Sequence, residues 1–240
     1  MFAEDEAQLL IGAARTPSDL AAMVDRRVAG VPLEQIVGWA DFCGLRIAVE
    51  PGVFVPRRRT EFLVSQAAAL ARPHAVAVDL CCGSGAVGAA LVAAVGRLEL
   101  YAVDIDPVAV RCARRNVGSA YVGDLYGPLP ASLRGRVDVL VANAPYVPTD
   151  EIGLMPPEAR LHEPRVALDG GADGVDVQRR VAAEAPRWLA PGGHLLVETS
   201  ERQAPRTVEA FSRHGLTARV ARSDELNATV VIGSKPLTGD

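Results

Sequence analysis

The 240-residue chain has little sulfur chemistry to offer: four cysteines, at positions 43, 81, 82 and 112, and no C-x-x-C pair. Cys81 and Cys82 are adjacent, which fits neither a metal knuckle nor a redox couple. All four are expected to be reduced, mostly buried thiols. The four histidines do not gather with cysteine at ligand spacing, so no metal site is expected. No uninterrupted apolar run nears the roughly 20 residues that cross a bilayer, so no membrane contact is expected. The segment Met1 to Glu6 is acidic where a signal peptide would be basic, which predicts a cytoplasmic protein without a leader. A basic excess is missing too. The net charge of -4 gives no global field for a stable nucleic-acid complex. Arg57-Arg58-Arg59 is a local exception, read either as a solvated helix start or as an anion contact. There is no internal repeat and no low-complexity stretch.

What remains is an ordinary composition, 49% hydrophobic and 22% charged, enough for one substantial domain with an appendage. Helices are predicted over residues 3–14 and from the Thr16-Pro17-Ser18-Asp19 cap to about Val28, with one further turn over 32–38. That piece (residues 1–38) is too short to own a core. Residues 39–58 read as a β-hairpin linker: Phe42 to Val55 alternates weakly, and Pro51-Gly52 marks the turn. A helix should follow from about Thr60. Over the rest of 59–240, strands and helices alternate. Strands are predicted at 75–80, 98–103, 120–122, 137–142 and 194–198, with a late, antiparallel pair at 216–222 and 228–232. Helices are predicted at 86–95, 107–116, 178–189 and 201–213. That alternation argues for an α/β chain with a mostly parallel, doubly wound sheet. The Pro- and Gly-rich segment 148–176 reads as a long functional loop.

The first buried strand ends in Asp79-Leu-Cys81-Cys82-Gly83-Ser84-Gly85 before a helix. Glycines at such a turn let a ligand approach the backbone, and the helix start favours an anionic group. Gly83, Gly85 and Gly88 match the G-x-G-x-x-G string, which is weak evidence alone. Asp104 ends the second strand about 20 residues on, where a ribose diol is held. Asp124, in Gly123-Asp124-Leu125, follows the third. A dinucleotide reductase is the competing reading, but the chain has no Tyr-x-x-x-Lys. A bound nucleoside whose reactive group is not a nicotinamide fits better.

The fourth strand stops at Asn143-Ala144-Pro145-Tyr146. Ligands in open α/β sheets sit at that carboxyl edge. An amide, a proline turn and an aromatic ring make a grip for a flat polar group.

Together, Asp79, Gly83-Ser84-Gly85, Asp104, Asp124 and Asn-x-Pro-Tyr resemble the class I S-adenosylmethionine-dependent methyltransferases of the amino-group type. The segments Pro32-Leu-Glu-Gln-Ile-Val-Gly38, Pro51-Gly-Val-Phe-Val-Pro-Arg57, Asn143-Ala-Pro-Tyr-Val-Pro148 and His162-Glu-Pro-Arg-Val-Ala-Leu-Asp-Gly-Gly171 narrow the resemblance. They are similar to the protein-(glutamine-N(5)) methyltransferases, the HemK/PrmC group, from about Pro32 to Ile232. The resemblance implies a Rossmann-like sheet of seven strands with the last antiparallel. It implies S-adenosylmethionine with its methionine end over Cys81 to Gly85, its ribose on Asp104 beside Ile105, and its adenine flanked by Asp124 and Leu125. The acceptor amide would meet Asn143, the carbonyl of Ala144, Pro145 and Tyr146, while Glu163 and Arg165 would shape the entrance. The implied partner is a protein with an exposed glutamine loop, such as a peptide chain release factor, met by a monomer. Ala144 stands where the family has proline, and Cys81-Cys82 where it usually has Gly-Thr. About two N-terminal helices stand where it usually has five. A small metabolite or a nucleic-acid base remains the alternative acceptor, and a cofactor-binding module without catalysis remains a further one.

Overall fold

The computed structural model describes residues 3–237. The outermost residues of the expected 1–38 and 59–240 divisions therefore lie outside the described residues. Three helices come first: α1 (Ala3–Ala13), α2 (Pro17–Val28) and the short α3 (Leu33–Val37). Thr16 caps α2 as predicted, its hydroxyl accepting from the Asp19 N–H at 3.1 Å. Contrary to expectation, this segment has a small core of its own, where Leu10, Met23, Leu33 and Ile36 pack together. Apolar residues at helical spacing on three helices suffice to close it. It is also tied to the rest: Gln35 Nε2 donates to the Val53 carbonyl at 3.0 Å, and Arg27 Nη1 reaches Glu158 at 3.2 Å.

The hairpin exists, but its turn is not where Pro51-Gly52 placed it. Strands β1 (Trp39–Phe42) and β2 (Leu45–Ala48) are antiparallel with Phe42 opposite Leu45. The turn is therefore Cys43-Gly44, with both residues at positive φ, 50° and 73°. A two-residue turn of that kind matches strand twist. Pro51-Gly52 only starts the extended run toward the next helix.

From there the alternation holds. Helix α4 (Glu61–Leu70) leads to β3 (Val76–Leu80), α5 (Ala86–Val95), β4 (Glu99–Asp104), α6 (Pro107–Ala113), β5 (Ala120–Val122) and β6 (Val137–Ala142). The long segment after β6 is not featureless: it contains two single turns and helix α7 (Pro157–His162). Then come α8 (Asp176–Trp188), β7 (Leu189–Thr199), α9 (Ala204–Arg213), β8 (Thr217–Ser223) and β9 (Ala228–Ser234). Strand β7 starts earlier than predicted, because Leu189 already pairs with Val137 before a bulge shifts the register to His194 opposite Val139.

The seven strands lie in the order β5-β4-β3-β6-β7-β9-β8, and only β9 runs against the others, as expected. One face packs on α8 and α9 through Leu140, Leu195, Trp188 and Phe211. The other packs on α4 and α5 through Val139, Leu196, Leu63 and Leu91, with Phe42 and Ile47 of the hairpin joining in. Both faces being covered explains why β3, β6 and β7 read as apolar runs. The order reverses between β3 and β6, and that crevice is where such sheets bind ligands.

Candidate functional site

At the carboxyl edge of β3, β4 and β6 lies a cavity of about 810 Å³. It brings together Asp79, Cys81, Cys82, Gly83, Ser84, Asp104, Ile105, Asp124, Leu125, Asn143, Ala144, Pro145 and Tyr146. Gly85 and Gly88 of the glycine string stay behind the wall. A Cβ on Gly85 would sit 3.2 Å from the Ala113 Cβ, so Gly85 lets helices α5 and α6 close up.

In the first half of the cavity the acids act on the backbone. Asp104 accepts from the Gly83 N–H at 2.8 Å through Oδ2 and from the Asp106 N–H at 2.9 Å through Oδ1. The end of β4 thereby holds the glycine turn after β3. Burial raises the Asp104 pKa, and the bonds from Asp106 and Gly83 oppose that shift. Asp79 accepts from the Gly88 N–H at 2.9 Å. The absence of a side chain at Gly88 permits this, since a Cβ would lie 2.9 Å from Leu100 and 3.2 Å from the Asp79 carboxylate. Burial pushes Asp79 up to about 7, with the Gly88 bond opposing and Asp104 adding to the rise. Asp124 sits at the rim, paired with Arg180 of α8 at 2.5 Å. The Cys81 and Cys82 thiols are pushed upward by burial, so they stay protonated and are poor nucleophiles. Among the described residues no His/Cys/Asp/Glu group is arranged to hold a metal ion.

In the second half, the loop after β6 is held from three sides. Asn143 Nδ2 donates to Thr60 Oγ1 at 3.3 Å. The Val147 N–H donates to the Leu168 carbonyl at 3.0 Å, and the Gly170 N–H returns to the Val147 carbonyl at 2.8 Å. Gln203 Nε2, from the start of α9, donates to the Tyr146 carbonyl at 2.8 Å. The Tyr146 hydroxyl points at Glu198 Oε1, 3.5 Å away, and the Arg59 guanidinium lies 5.7 Å from its ring centroid. Burial and the Glu198 carboxylate push this phenol up to about 12, so it is a donor and not a base.

The sequence reading missed Glu198. It ends the apolar part of β7, is 1% exposed, and pairs with Arg59 at 3.2 Å. Burial raises its pKa, while Thr60, Arg59 and Tyr146 pull it back. The rule that singled out Asp79, Asp104 and Asp124, an acid at a strand's carboxyl end, applies equally to Glu198. The arginine run also resolves. Arg57 meets both oxygens of buried Glu163 at 2.6 Å, and Arg59 meets Glu198. Glu163 accepts the Val55 N–H at 3.1 Å as well, tying the segment after the hairpin to the long loop. Each of these two arginines thus has an acidic partner within the fold. Arg165 lines the same cavity and pairs at 3.1 Å with Asp169, which lines it too.

Comparison with known proteins follows the same lines. The family model "Methyltransferase small domain" matches residues 44–155. The release factor glutamine methyltransferase of Geobacter sulfurreducens is 38% identical over 229 residues, covering 91% of this chain and 79% of that protein. Its namesake in Mycolicibacterium smegmatis is 41% identical over 218 residues, covering 87% and 77%. A methyltransferase of known structure from Pyrococcus furiosus shares the fold with a TM-score of 0.60 at 18% identity, over 80% of this chain and 90% of that one.

Proposed function

We propose that this chain, which belongs to the release factor glutamine methyltransferase family, methylates the side-chain amide nitrogen of a glutamine on a peptide chain release factor. The chain is an S-adenosylmethionine-dependent methyltransferase. The residues present fit that cofactor. Gly83 has φ +54° and nothing within 4 Å of a Cβ built there, so a ligand can approach the turn closely. Asp79 is a buried carboxylate without a salt bridge among the described residues, suited to a ligand ammonium. In the proposed arrangement Cys81 to Ser84 and Asp79 hold the methionine end, Asp104 and Ile105 the ribose, and Asp124 and Leu125 the adenine.

When bound, S-adenosylmethionine supplies a methyl group already activated on a sulfonium. The protein's task is then to aim a nucleophile. An amide nitrogen is a poor one, because its lone pair is delocalised into the carbonyl. The proposed acceptors for its two N–H groups are Asn143 Oδ1 and the main-chain carbonyl of Ala144. They hold the nitrogen in line and attract the positive charge that develops on it. Alignment of this kind supplies about 7–11 kcal/mol of barrier reduction. Pro145 fixes the turn, and Tyr146 packs on the flat amide and excludes water. Ala144 keeps the carbonyl that a proline would present, and Pro145 still holds its backbone extended. The observation that carries the reading is that the Asn143–Tyr146 loop and the glycine turn open into one cavity.

The proposed working unit is a monomer. No helix among the described residues is long and apolar enough to cross a membrane. The proposed location is the cytoplasm, where release factors act. The test is transfer of labelled methyl to purified release factor, with lysate fractions of protein, nucleic acid and small molecules beside it. Label on a release-factor glutamine is expected. Label only in nucleic acid or in small molecules would overturn the assignment.

A further inference from the structure

Asn143 has a carboxamide with two ends of nearly equal size, and only one of them suits the chemistry. If the oxygen faces the acceptor, it can take an N–H from the substrate amide. If the NH2 faces it, two donors oppose each other and the site is blocked. Something must choose. The only side chain bonded to the Asn143 carboxamide among the described residues is Thr60, whose hydroxyl lies 3.3 Å from Nδ2. A hydroxyl is both donor and acceptor, so Thr60 alone does not choose. Its own neighbour does.

Thr60 is 2% exposed and Glu198 1% exposed, and the Thr60 hydroxyl is the foremost of the groups whose hydrogen bonding offsets the effect of burial on the Glu198 carboxyl. Glu198 Oε1 already faces Arg59 Nε at 3.2 Å and the Tyr146 hydroxyl at 3.5 Å. Oε2 is buried without a completed hydrogen bond. Arg59 favours the ionised form of Glu198 against the effect of burial, and in that form the carboxylate accepts and cannot donate. A buried acceptor left short of a donor is destabilising, so the Thr60 hydroxyl is drawn to turn its hydrogen toward Glu198. That leaves the Thr60 oxygen as an acceptor, and an acceptor can take only the NH2 end of Asn143. The oxygen of Asn143 must then face the cavity. The order of donation runs Asn143 to Thr60 to Glu198, and the carboxylate at its end sets the direction.

We propose that Thr60 and Glu198 are positioning residues that fix which end of the Asn143 carboxamide faces the methyl acceptor. The proposal rests on the reading of Asn143 as an acceptor-amide contact. Arg59 has a supporting part in it, favouring the charged form of Glu198 while its guanidinium lies over the Tyr146 ring. Helix α4 and strands β6 and β7 thus share one device, with the residue just before α4 linking the ends of the two strands.

Three variants test it: Thr60→Val, which keeps the shape and loses the hydroxyl; Thr60→Ser, which restores the hydroxyl; and Glu198→Gln, whose amide can offer Thr60 a donor instead of an acceptor. For each, kcat, KM for release factor and cofactor Kd are measured. Hydrogen exchange of the Asn143 side-chain NH2 is followed by NMR with labelled asparagine. Thr60→Val and Glu198→Gln are expected to lower kcat by about 10–100-fold with cofactor Kd within about twofold, as misorientation without loss of binding does. Thr60→Ser should recover to within about threefold of the parent. The Asn143 NH2 should exchange about fivefold faster in Thr60→Val, the equivalent of one lost hydrogen bond. A Thr60→Val protein with parental kcat, or with unchanged Asn143 exchange, would overturn the proposal. Should the parent protein methylate no glutamine at all, the functional reading fails. The exchange comparison still decides whether Thr60 and Glu198 orient Asn143.

Discussion

Gln203 Nε2 lies 2.8 Å from the Tyr146 carbonyl oxygen and 3.1 Å from that of Asp173. One amide at the start of α9 therefore clasps two loops that are distant in sequence. It can do so because Gly174 has no side chain: a Cβ there would collide with Gln203 Nε2 and the Tyr146 oxygen. Gly170 is bare where the same two loops meet. A Cβ on Gly170 would meet the Gly174 oxygen at 2.6 Å, the Tyr146 Cα at 2.7 Å and the Pro145 oxygen at 2.8 Å. All three are main-chain atoms that cannot swing aside. Gly170→Ala is accordingly expected to push the Asn143–Tyr146 turn out of place. Stability should fall by about 1–3 kcal/mol, as overpacking does, and methyl transfer should fall more steeply. Gly153→Ala, where a Cβ meets nothing within 4 Å, is the matched control and should leave both unchanged. Denaturant unfolding and single-turnover transfer check the pair. Equal behaviour of the two variants would contradict the close packing described.

Asn143→Ala removes the carboxamide without disturbing the Ala144 carbonyl. Loss of one oriented partner for developing charge is expected to reduce kcat by roughly 10²–10³-fold. The Kd for S-adenosylmethionine should change by less than about threefold, since the glycine turn and Asp104 lie on other strands. Turnover measured against equilibrium binding separates the two effects. Full activity in Asn143→Ala would remove the residue from the mechanism.

The sheet and the glycine turn were legible because their causes are local. Buried parallel strands such as β3 and β6 spell themselves as apolar runs, and Asp106-Pro107 announces the start of α6. The hairpin turn was misplaced because Pro51-Gly52 carries a strong turn signal, whereas Cys43-Gly44 carries a weak one. Phe42 and Ile47, buried against the α4 and α5 side of the sheet, settle the register, and that packing is not visible in the strand alone. The site was half legible. Asp104 and Asn143 stand at strand ends, where sequence position implies place. Thr60, Arg59 and Glu198 meet only in the folded chain, the last two being 139 positions apart. Glu163 was noticed for its motif, but nothing nearby in sequence revealed Arg57 as its partner.

The Glu163 pair makes its own prediction. Its side chain is wholly buried, and it accepts from Arg57 and from the Val55 N–H. Glu163→Ala would leave that N–H without its partner and Arg57 without its counter-charge. The Arg57 side chain is 33% exposed, so water softens the loss, and about 1–3 kcal/mol is expected where a fully buried pair would lose more. Glu163→Gln keeps one acceptor for Val55 and should lose less. Urea unfolding of the two variants gives the ranking. If Glu163→Ala is as stable as the parent, the contact does not hold the long loop against the segment after the hairpin.

Asp79 should report cofactor binding through protons. Its pKa stands at about 7 in the folded protein without ligand, against 3.8 when unperturbed. Between those values the folded state holds a proton that the unfolded chain has released. The ionised form is the one that burial disfavours. Stability of the cofactor-free protein should therefore fall as pH rises from about 4 to 7, by an amount on the order of 4 kcal/mol at full ionisation. In the proposed arrangement the ligand ammonium lies near this carboxylate and draws its pKa back down. Binding at pH 6 should then release close to one proton, and affinity should rise with pH until about 7. Calorimetric titration at pH 6 in two buffers of different ionisation enthalpy measures the release directly. Asp79→Asn keeps an oxygen for the Gly88 N–H but cannot titrate. It should flatten the pH dependence of unfolding and abolish the buffer-dependent heat. A parent protein that binds S-adenosylmethionine at pH 6 with the same heat in both buffers would show that Asp79 is ionised before the ligand arrives, or that the ammonium goes elsewhere.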